Sequence, residues 1–290
     1  MTPHAPWSEG PADFTIGLRR IDTAGWFEGG EAPEVVTARK TDLLTRAPAL
    51  VWAETPGSAA AQGEALALVE AWAGRRAPGD SAALWRAGLL VSDDLCLMER
   101  AAYGWRLTAL SLCAGSLFTA GEVIGRSLAE LHAPAPGFAE RLLARVARIF
   151  DHLPTETVLE RRNWSVLGSG ALHLPHAAPV RALSARVTAA EAGSRLFTRV
   201  ERQTLRRLPV TGAVLFSIRV WVRPLEALSG DERRGLQRAW VAATEDFRSY
   251  KSLAALDATM GAWFACQAKR GDGVLAPGEL RAPAAGARQG

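Results

Sequence analysis

Apolar residues recur along this chain at two spacings, one typical of helices and one typical of strands. Residues 62–74 place apolar side chains every three or four positions, which predicts an amphipathic helix. The same spacing predicts helices over 120–131 and 137–153, the first ended by the prolines that follow it. The first 60 residues show little periodicity and are rich in Pro and Gly, so we expect an extended arm there.

Strands are predicted where apolar and polar residues alternate, or where short apolar runs flank a turn. Residues 89–91 and 95–98 flank Ser92, Asp93 and Asp94, which indicates a hairpin with the aspartates in its turn. Further strands are predicted over 105–113, 158–166, 195–206 and 213–222. Strands, then helices, then strands again, with helices at both ends, favour an α+β fold with a mainly antiparallel sheet.

These elements divide the chain into four predicted parts. Residues 1–75 form an N-terminal arm and a helix that packs on the core, and residues 76–225 form the core. C-terminal helices occupy residues 226–268, and Ser229 followed by Glu232 predicts the capped start of the first of them. Residues 269–290 are rich in Ala, Gly and Pro, which is typical of a disordered tail.

Composition narrows the chemistry. The chain has five His and three Cys without a CxxC or HxxxH pair, which excludes structural zinc and zincin sites. Three cysteines form no disulfide framework and indicate a reduced, cytoplasmic protein. The net charge of +4 comes without a basic run interleaved with aromatics, and no apolar stretch reaches the ~20 residues that span a bilayer. We therefore expect neither nucleic acid nor membrane as a partner, and any metal must need few protein ligands.

His132 is the first candidate for chemistry, because it ends a predicted helix just before a Pro-rich turn. One imidazole suffices as the axial ligand of a heme, since the porphyrin supplies four other ligands. The competing interpretation is a histidine that caps the last carbonyls of its helix, and the pattern alone favours it. His173 and His176 lie in a Pro-containing loop and His152 on the polar side of a helix, where exposure is the default.

The strand over 195–206 is the second candidate. Its period of two places these residues on one face: Phe197, Arg199, Glu201, Gln203 and Leu205. Such a face suits a polar pocket in which Glu201 holds a cationic amine and Arg199 an anion such as a propionate. A solvated charge ladder on an edge strand explains the pattern equally well. On the preceding strand Asn163 and Trp164 need hydrogen-bond partners if buried, and they serve either a ligand or a core with a polar edge.

Four stretches of the sequence together resemble the heme-dependent oxidative N-demethylase-like family, which includes the heme subunit of dimethylamine monooxygenase. They are Asp-Leu-Cys-Leu-Met-Glu-Arg to Trp-Arg-Leu at 94–107, Ile-Gly-Arg-Ser-Leu to His-Ala-Pro-Ala-Pro-Gly at 124–137, Arg-Asn-Trp-Ser at 162–165, and 199–219 with Glu-Arg-Gln-Thr-Leu. Ile16-Gly17-Leu18 and Trp26 are also similar to the family. The resemblance covers about residues 14–265.

The resemblance implies a PAS-like antiparallel sheet over 76–225 with added N- and C-terminal helices. It implies heme b between the sheet and the helix that carries His132, with His132 as the iron ligand. The residues implied to face the heme or the substrate are Glu201, Arg199 and Gln203. Asn163 and Trp164 are implied to support the pocket. Arg206 is implied to lie near a heme carboxylate.

The activity that the resemblance implies is oxidation of a methyl group on an amine nitrogen, whose hydroxymethyl product collapses to the demethylated amine and formaldehyde. Electrons would come from NADPH through FMN and [2Fe-2S] in a separate reductase, which fits a chain without a dinucleotide fingerprint or a four-Cys set. Two other functions stay open: a non-catalytic heme or gas sensor on a PAS-like fold, and a scaffold subunit without heme.

The sequence departs from the family pattern near the expected pocket. Gly115, Leu117 and Phe118 stand where a Pro-Ser-x-Trp-like segment is expected, and Val123 stands where the family tends to carry Lys. Ala135 replaces a usual Val. The resemblance therefore leaves the amine substrate open.

Overall fold

The computed structural model describes residues 5–9, 13 and 15–269, and it has the α+β fold that the sequence predicts. Within these residues seven strands form one sheet: β1 Arg19–Ile21, β2 Trp52–Glu54, β3 Asp94–Ala101, β4 Gly104–Ser111, β5 Val158–Leu167, β6 Phe197–Arg207 and β7 Val214–Pro224. The α-helices described are α1 Pro33–Arg46, α2 Pro48–Val51, α3 Ala59–Ala73, α4 Ala83–Gly88, α5 Ala120–Val123, α6 Leu128–His132, α7 Phe138–Arg141, α8 Leu143–His152, α9 Ala177–Ala185, α10 Ala192–Arg195, α11 Gly230–Ala242, α12 Glu245–Tyr250 and α13 Asp257–Lys269.

The strands are arranged in the order β1-β5-β6-β7-β3-β4-β2, and every neighbouring pair is antiparallel. β6 pairs with β7 from Phe197 opposite Pro224 to Arg207 opposite Val214, and with β5 along the whole of that strand. The three longest strands therefore lie side by side. β1 pairs only with residues 158–160 of β5, so the rest of β5 has a strand partner on one side among the described residues.

The pleat of β5 and β6 sends successive side chains to opposite faces of the sheet. We call the face that carries their odd-numbered residues the front face, and the opposite one the back face. Helices α5, α6 and α8 cover the front face, where Leu128 and Phe150 belong to one apolar cluster with Cys96 and Leu205. On the back face α3 and α4 cover one end, and α11 to α13 cover the other around Val200.

The elements with the most regular patterns lie where the sequence predicts them. α3 coincides with the helix predicted over 62–74, and β5, β6 and β7 with the predicted strands. The predicted capping box is also confirmed: Ser229 N donates to Glu232 Oε2 at 2.8 Å, and Glu232 N donates to Ser229 Oγ at 3.3 Å at the start of α11.

The hairpin predicted around Ser92 is wrong. Residues 89–91 form a turn after α4, and the hairpin instead joins β3 to β4 through a turn at 102–103. Asp93 and Asp94 are not exposed turn residues, because both are fully buried and Asp94 begins β3. A short run of buried apolar residues does not by itself distinguish a strand from a packed turn.

The single helix predicted over 120–131 is also wrong, because α5 and α6 are separate. Gly125 lies between them with a φ of 76°. Ser127 then caps α6, since its N–H donates to the Glu130 carboxylate at 2.7 Å and its Oγ accepts from Glu130 N at 3.3 Å. The predicted helix over 137–153 likewise divides at Leu142 into α7 and α8. The apolar spacing over 120–131 continues across both helices, so it does not show the break between them. The Ser-x-x-Glu capping box of Ser127 and Glu130 does mark that break.

The N-terminal region is more regular than an extended arm. It contains α1 and α2, and its strands β1 and β2 form the two outer edges of the sheet. α1 buries Val36, Lys40 and Leu44 on one face. Lys40 is 1 % exposed because its Nζ donates to the Asp93 carbonyl at 2.6 Å. A lysine in the middle of the buried stripe interrupts the apolar pattern that predicts a helix.

Three further expectations concern the chain as a whole. The division into four parts at residues 75, 225 and 268 stays a prediction. The predicted tail lies outside the described residues except for Lys269, which ends α13. No helix of the described part has the length and apolar character that crossing a membrane requires.

Candidate functional site

The front face carries most of the predicted site residues. Asn163 of β5 stands opposite Glu201 of β6, and Arg161 stands opposite Gln203. Arg199 precedes Glu201 by two residues and faces the same side. β6 lies between β5 and β7 and Arg199 is buried, so the alternative of a solvated edge strand is wrong. Strand alternation thus brings four predicted residues together, with Arg161 beside them.

Glu201 is held by three hydrogen-bond donors. Its Oε1 accepts from Ser116 Oγ at 2.6 Å, and its Oε2 accepts from Gln203 Nε2 at 3.0 Å and from Asn163 Nδ2 at 3.4 Å. A carboxylate offers about four acceptor positions, so these donors leave one. Burial raises the pKa of Glu201, but the charge of Lys251 and the hydrogen bonds outweigh burial and lower it below its usual value. Glu201 is therefore an anion at neutral pH.

Arg199 clamps two loops to β6. Its Nε donates to Ser116 Oγ at 2.8 Å and its Nη1 to the Ala171 carbonyl at 3.3 Å. Its Nη2 donates to the Leu172 carbonyl at 2.9 Å and to the Ala114 carbonyl. Four of the five N–H donors of the guanidinium are thus taken by protein acceptors. The predicted binding of an anion by Arg199 stays a prediction, and the observed contacts give it a structural role.

Two turns beside this cluster hold non-glycine residues in left-handed backbone. Leu117 has a φ of 71° and follows Ser116, and Ser252 has a φ of 54° and follows Lys251. Backbone of this kind costs on the order of 1–3 kcal/mol and concentrates at functional sites. Ser116 and Leu117 also lie in the segment where the sequence departs from the family pattern, and the Ser116 hydroxyl contacts Glu201. The strained backbone at Leu117, the departure from the family pattern and the polar cluster around Glu201 therefore lie at the same place.

His132 ends α6, which packs against the front face. Its Nδ1 lies 2.8 Å from the Leu128 carbonyl, and its ring stacks on Phe138 with centroids 4.1 Å apart. Because a carbonyl only accepts, Nδ1 carries the proton and Nε2 keeps its lone pair. Burial lowers the pKa of His132 and the charge of Arg161 lowers it further, although the bond to Leu128 opposes them. The contact is a helix-end cap, and it also leaves Nε2 able to bind a metal.

Trp164 and Arg206 are even-numbered and lie on the back face. Trp164 packs edge-on against Trp7, with ring centroids 6.1 Å apart, and tilted against Phe247 at 5.5 Å. The Arg206 guanidinium carbon lies 4.2 Å from the ring centroid of Trp26. The structure does not bring these two residues together with the front-face cluster, and their places in the pocket and at a heme carboxylate stay predictions.

Arg161 and Lys251 face the cluster and were missed from the sequence. Arg161 Nε is buried and has no hydrogen-bond partner among the described residues. Burial lowers the pKa of Lys251 to about 8, although the charge of Glu201 opposes this. The period of two from Asn163 would have identified Arg161. No local sequence pattern indicated that Lys251 belongs to this cluster, because Lys251 and Glu201 are far apart along the chain.

A cleft of about 610 Å³ opens elsewhere, against Trp221. Its arginines already have carboxylate partners: Arg162 Nη2 lies 2.8 Å from Glu28 Oε1, and Arg219 Nη1 lies 2.8 Å from Glu31 Oε2. The cleft therefore offers less uncompensated charge than the front face.

Metal-binding side chains are sparse in the described part, where no three His, Cys, Asp or Glu residues cluster around a possible ion. Burial raises the pKa of Cys113 to about 11, so this cysteine is a thiol at neutral pH. His173 was expected to be exposed, but both its ring nitrogens are buried and lack a partner among the described residues. A metal ion on the front face would need a cofactor that supplies most of its ligands, with one protein residue completing the coordination.

A comparison of the chain with models of protein families gives a match. A model of the family described as Haem-dependent oxidative N-demethylase, alpha subunit-like, matches residues 64–260. The matched region is more than half of the chain and runs from α3 into α13, so it contains the whole front-face cluster, α6 and Lys251. No curated protein matches the chain.

Proposed function

The chain belongs to the haem-dependent oxidative N-demethylase, alpha subunit-like family, and from that premise we propose that it oxidatively demethylates a small methylated amine. The family description supports a heme cofactor and an oxidoreductase activity, and its wording implies a partner subunit. We propose heme b as the cofactor and His132 as the iron ligand. The observation that carries this is that the helix of His132 packs on the sheet face that holds an ionised Glu201.

The residues around His132 fit an iron ligand. Metal-bound histidines almost always donate their other ring N–H to a carbonyl, a carboxylate or water, which fixes the ring. The bond to Leu128 supplies this contact, and the stacked ring of Phe138 restricts rotation. A ligating histidine must be neutral, which its lowered pKa favours. When bound, heme supplies the activation of dioxygen and the oxidation of the methyl carbon.

Glu201 suits a methylated ammonium group. Such a group carries a positive charge and at least one N–H donor, and Glu201 has one acceptor position left at Oε1, which it shares with the Ser116 hydroxyl. A hydrogen bond between charged partners is roughly twice as strong as a neutral one. Because Gln203 and Asn163 fix Oε2, the carboxylate would bind the amine in one orientation.

The reaction balances with a single external supply of electrons. Each methyl group consumes one dioxygen, two electrons and two protons, and yields the demethylated amine, formaldehyde and water. A C–H bond of the methyl group becomes C–OH, after which the C–N bond breaks, formaldehyde leaves and the nitrogen takes up a proton. We propose NADPH as the electron source, with FMN and [2Fe-2S] carried by a separate reductase subunit.

We further propose that β3 to β7 form a PAS-like core. In support, β3 and β4 form a hairpin, and helices α5 to α8 separate them in the chain from β5, β6 and β7. These three strands are antiparallel neighbours in chain order, with α9 and α10 in the connection between β5 and β6. β3 pairs with β7, so the first and last strands of the group lie next to each other inside the sheet. The helices between the two groups include α6, which ends at His132 and packs against the front face through Leu128.

Heme binding tests His132 directly. We expect His132→Ala to lose the Soret band after heme-replete expression, because the iron loses its protein ligand. His152→Ala is the matched control, since His152 also ends a helix and its Nδ1 lies 2.9 Å from the Arg148 carbonyl, but on the exposed side of α8. Equal heme content in the two variants would exclude His132 as the ligand.

Formaldehyde release tests the activity. The heme-loaded protein with a supplied reductase should release formaldehyde from at least one of dimethylamine, trimethylamine and N-methylglycine. Glu201→Gln should keep its heme but bind the amine about tenfold more weakly, because it loses a hydrogen bond between charges. Loaded protein that releases no formaldehyde from any amine contradicts the enzyme and leaves the non-catalytic heme sensor.

A further inference from the structure

Arg161 is a half-buried cation whose buried Nε has unused hydrogen-bonding capacity among the described residues. It projects from β5 onto the front face, opposite Gln203. Its Nε has no hydrogen-bond partner within the described part of the chain. Burial lowers the pKa of Arg161, and the charge of Glu201 only partly opposes this. A guanidinium stays protonated at any physiological pH, so the charge of Arg161 persists on this face.

Lys251 brings a second cation to the same cluster from a different element. It follows α12 directly, and its Nζ lies 5.4 Å from the centroid of the Tyr250 ring. Ser252, in left-handed backbone, then turns the chain away. Arg161 and Lys251 both interact with the charge of Glu201. Two cations from distant parts of the sequence therefore converge on one carboxylate.

These cations exceed the anionic charge that faces them. Glu201 is a single carboxylate, and three neutral donors already occupy most of its acceptor positions. Buried charges in proteins are generally paired. The next residue on the same strand shows the usual arrangement, because Arg162 on the back face pairs with Glu28 at 2.8 Å. Arg161 and Lys251 lack such a partner among the ion pairs of the described residues and have the chemistry that recognises a carboxylate.

We propose that Arg161 and Lys251 together bind a carboxylate group of a ligand held against the front face. The inference rests on the proposed function, because that function supplies two ligands with carboxylates. Heme b carries two of them, and an N-methyl amino acid carries one beside its ammonium group. In the second case Glu201 binds the ammonium while the two cations bind the carboxylate.

The first arm of the test measures how fast the loaded protein loses heme to an excess of apomyoglobin, followed by the Soret band. If the carboxylate belongs to heme, Arg161→Gln and Lys251→Met should each speed the loss of heme b about tenfold. The loss of heme dimethyl ester, which has no free carboxylate, should stay within about twofold of the unmodified protein. Arg206→Gln is the matched control: the family resemblance places Arg206 near a heme carboxylate, but its guanidinium stacks on Trp26 on the back face.

The second arm measures binding of N-methylglycine and dimethylamine through the changes they cause in the Soret band. If the carboxylate belongs to the substrate, both variants should bind N-methylglycine about tenfold more weakly and dimethylamine as before. Lys251 lies outside the sheet, so its variant keeps the test decisive should Arg161→Gln not fold.

Three outcomes overturn the inference. Heme loss and amine affinity unchanged in both variants would refute it and leave the proposed function intact. Faster loss of heme b in Arg206→Gln alone would assign the carboxylate to the back face. An unmodified protein that binds no heme would refute the proposed function, and the inference with it.

Discussion

Asp94 should be indispensable for the loop that holds the front-face cluster. Its Oδ1 accepts from Cys113 N at 2.7 Å and from Ala114 N at 3.0 Å, and its Oδ2 lies 2.9 Å from the same Ala114 N. Asp94→Ala removes the acceptor of two buried backbone N–H groups. Each unsatisfied group costs about 1–3 kcal/mol, so the variant should lose about 2–6 kcal/mol of unfolding free energy. That is a large part of the ~5–15 kcal/mol that stabilises a typical domain.

Asp94→Asn separates the lost acceptor from the lost charge. In the structure Oδ1 reaches both N–H groups, so an amide oxygen in its place keeps both hydrogen bonds. The amide NH2 then takes the place of Oδ2, 2.9 Å from Ala114 N, where two donors face each other. The variant loses the extra strength of a charged acceptor, about 1 kcal/mol, and also the acceptor at Oδ2. Burial raises the pKa of Asp94 to about 6, so removing the charge also relieves an unfavourable burial. Asn should therefore restore part of what Ala loses.

Urea unfolding followed by tryptophan fluorescence measures these differences. Asp22→Ala is the matched control, because Asp22 also accepts a backbone N–H, from Ala24 at 2.9 Å, but on an exposed surface where water replaces it. It should lose under about 1 kcal/mol. The Ala114 carbonyl also accepts from Arg199, so Asp94→Ala should expose residues 113–118 to hydrogen exchange. A loss below about 1 kcal/mol in Asp94→Ala, or equal losses in its Ala and Asn variants, would refute the reasoning.

Three further predictions concern buried groups elsewhere. Burial raises the pKa of Asp93 to about 7, so the stability that its protonated form contributes is lost as the pH rises from about 4 to about 7. Asp93→Asn should lack this decline when the unfolding free energy is measured by urea unfolding at each pH. Unfolding free energies of the variant and the unmodified protein that run parallel across this pH range would contradict the prediction. Arg202→Met breaks a buried ion pair with Glu160 and should lower the unfolding free energy by roughly 3 kcal/mol, whereas a loss under about 1 kcal/mol would show the pair to be dispensable. Gly168→Ala would place a Cβ 2.6 Å from the backbone of α9 and should lower the unfolding free energy by about 1–3 kcal/mol, while Gly63→Ala, with open space inside α3, should raise it; a neutral Gly168→Ala would contradict the close approach.

The parts of the fold that the sequence predicted are those fixed by local pattern. β5, β6 and β7 send successive side chains to opposite layers of helices, and Ser229 with Glu232 forms a cap within one turn. The same locality explains the partial success at the site, because strand alternation alone puts Arg199, Glu201 and Gln203 on one face. Alternation also implies that Asn163 and its neighbour at 164 face opposite sides, a consequence that grouping them by motif concealed.

The parts that the sequence did not predict depend on contacts between distant segments. Lys40 is buried in α1 only because the Asp93 carbonyl, on another element, accepts from it. From the sequence Asp94 is predicted to lie in a turn, whereas in the structure its carboxylate accepts hydrogen bonds from a loop about 20 residues further along the chain. Lys251 lies near Glu201 because of how α12 packs, and no pattern in the sequence around residue 251 predicts that proximity. Propensity and period describe an element, whereas these residues are explained by the elements they meet.

The pleat of β5 gives neighbouring arginines different roles. Arg162 on the back face pairs with Glu28, and that pairing compensates its charge within the protein. Arg161 on the front face has a buried Nε without a hydrogen-bond partner among the described residues. Glu201, whose charge acts on both Arg161 and Lys251, already accepts from three neutral donors and has Arg199 Nε 3.9 Å from its Oε1. A charge that its own fold leaves uncompensated, next to backbone held in a rarely populated conformation, contributes little to folding. We propose that its contribution comes when a ligand binds at the front face.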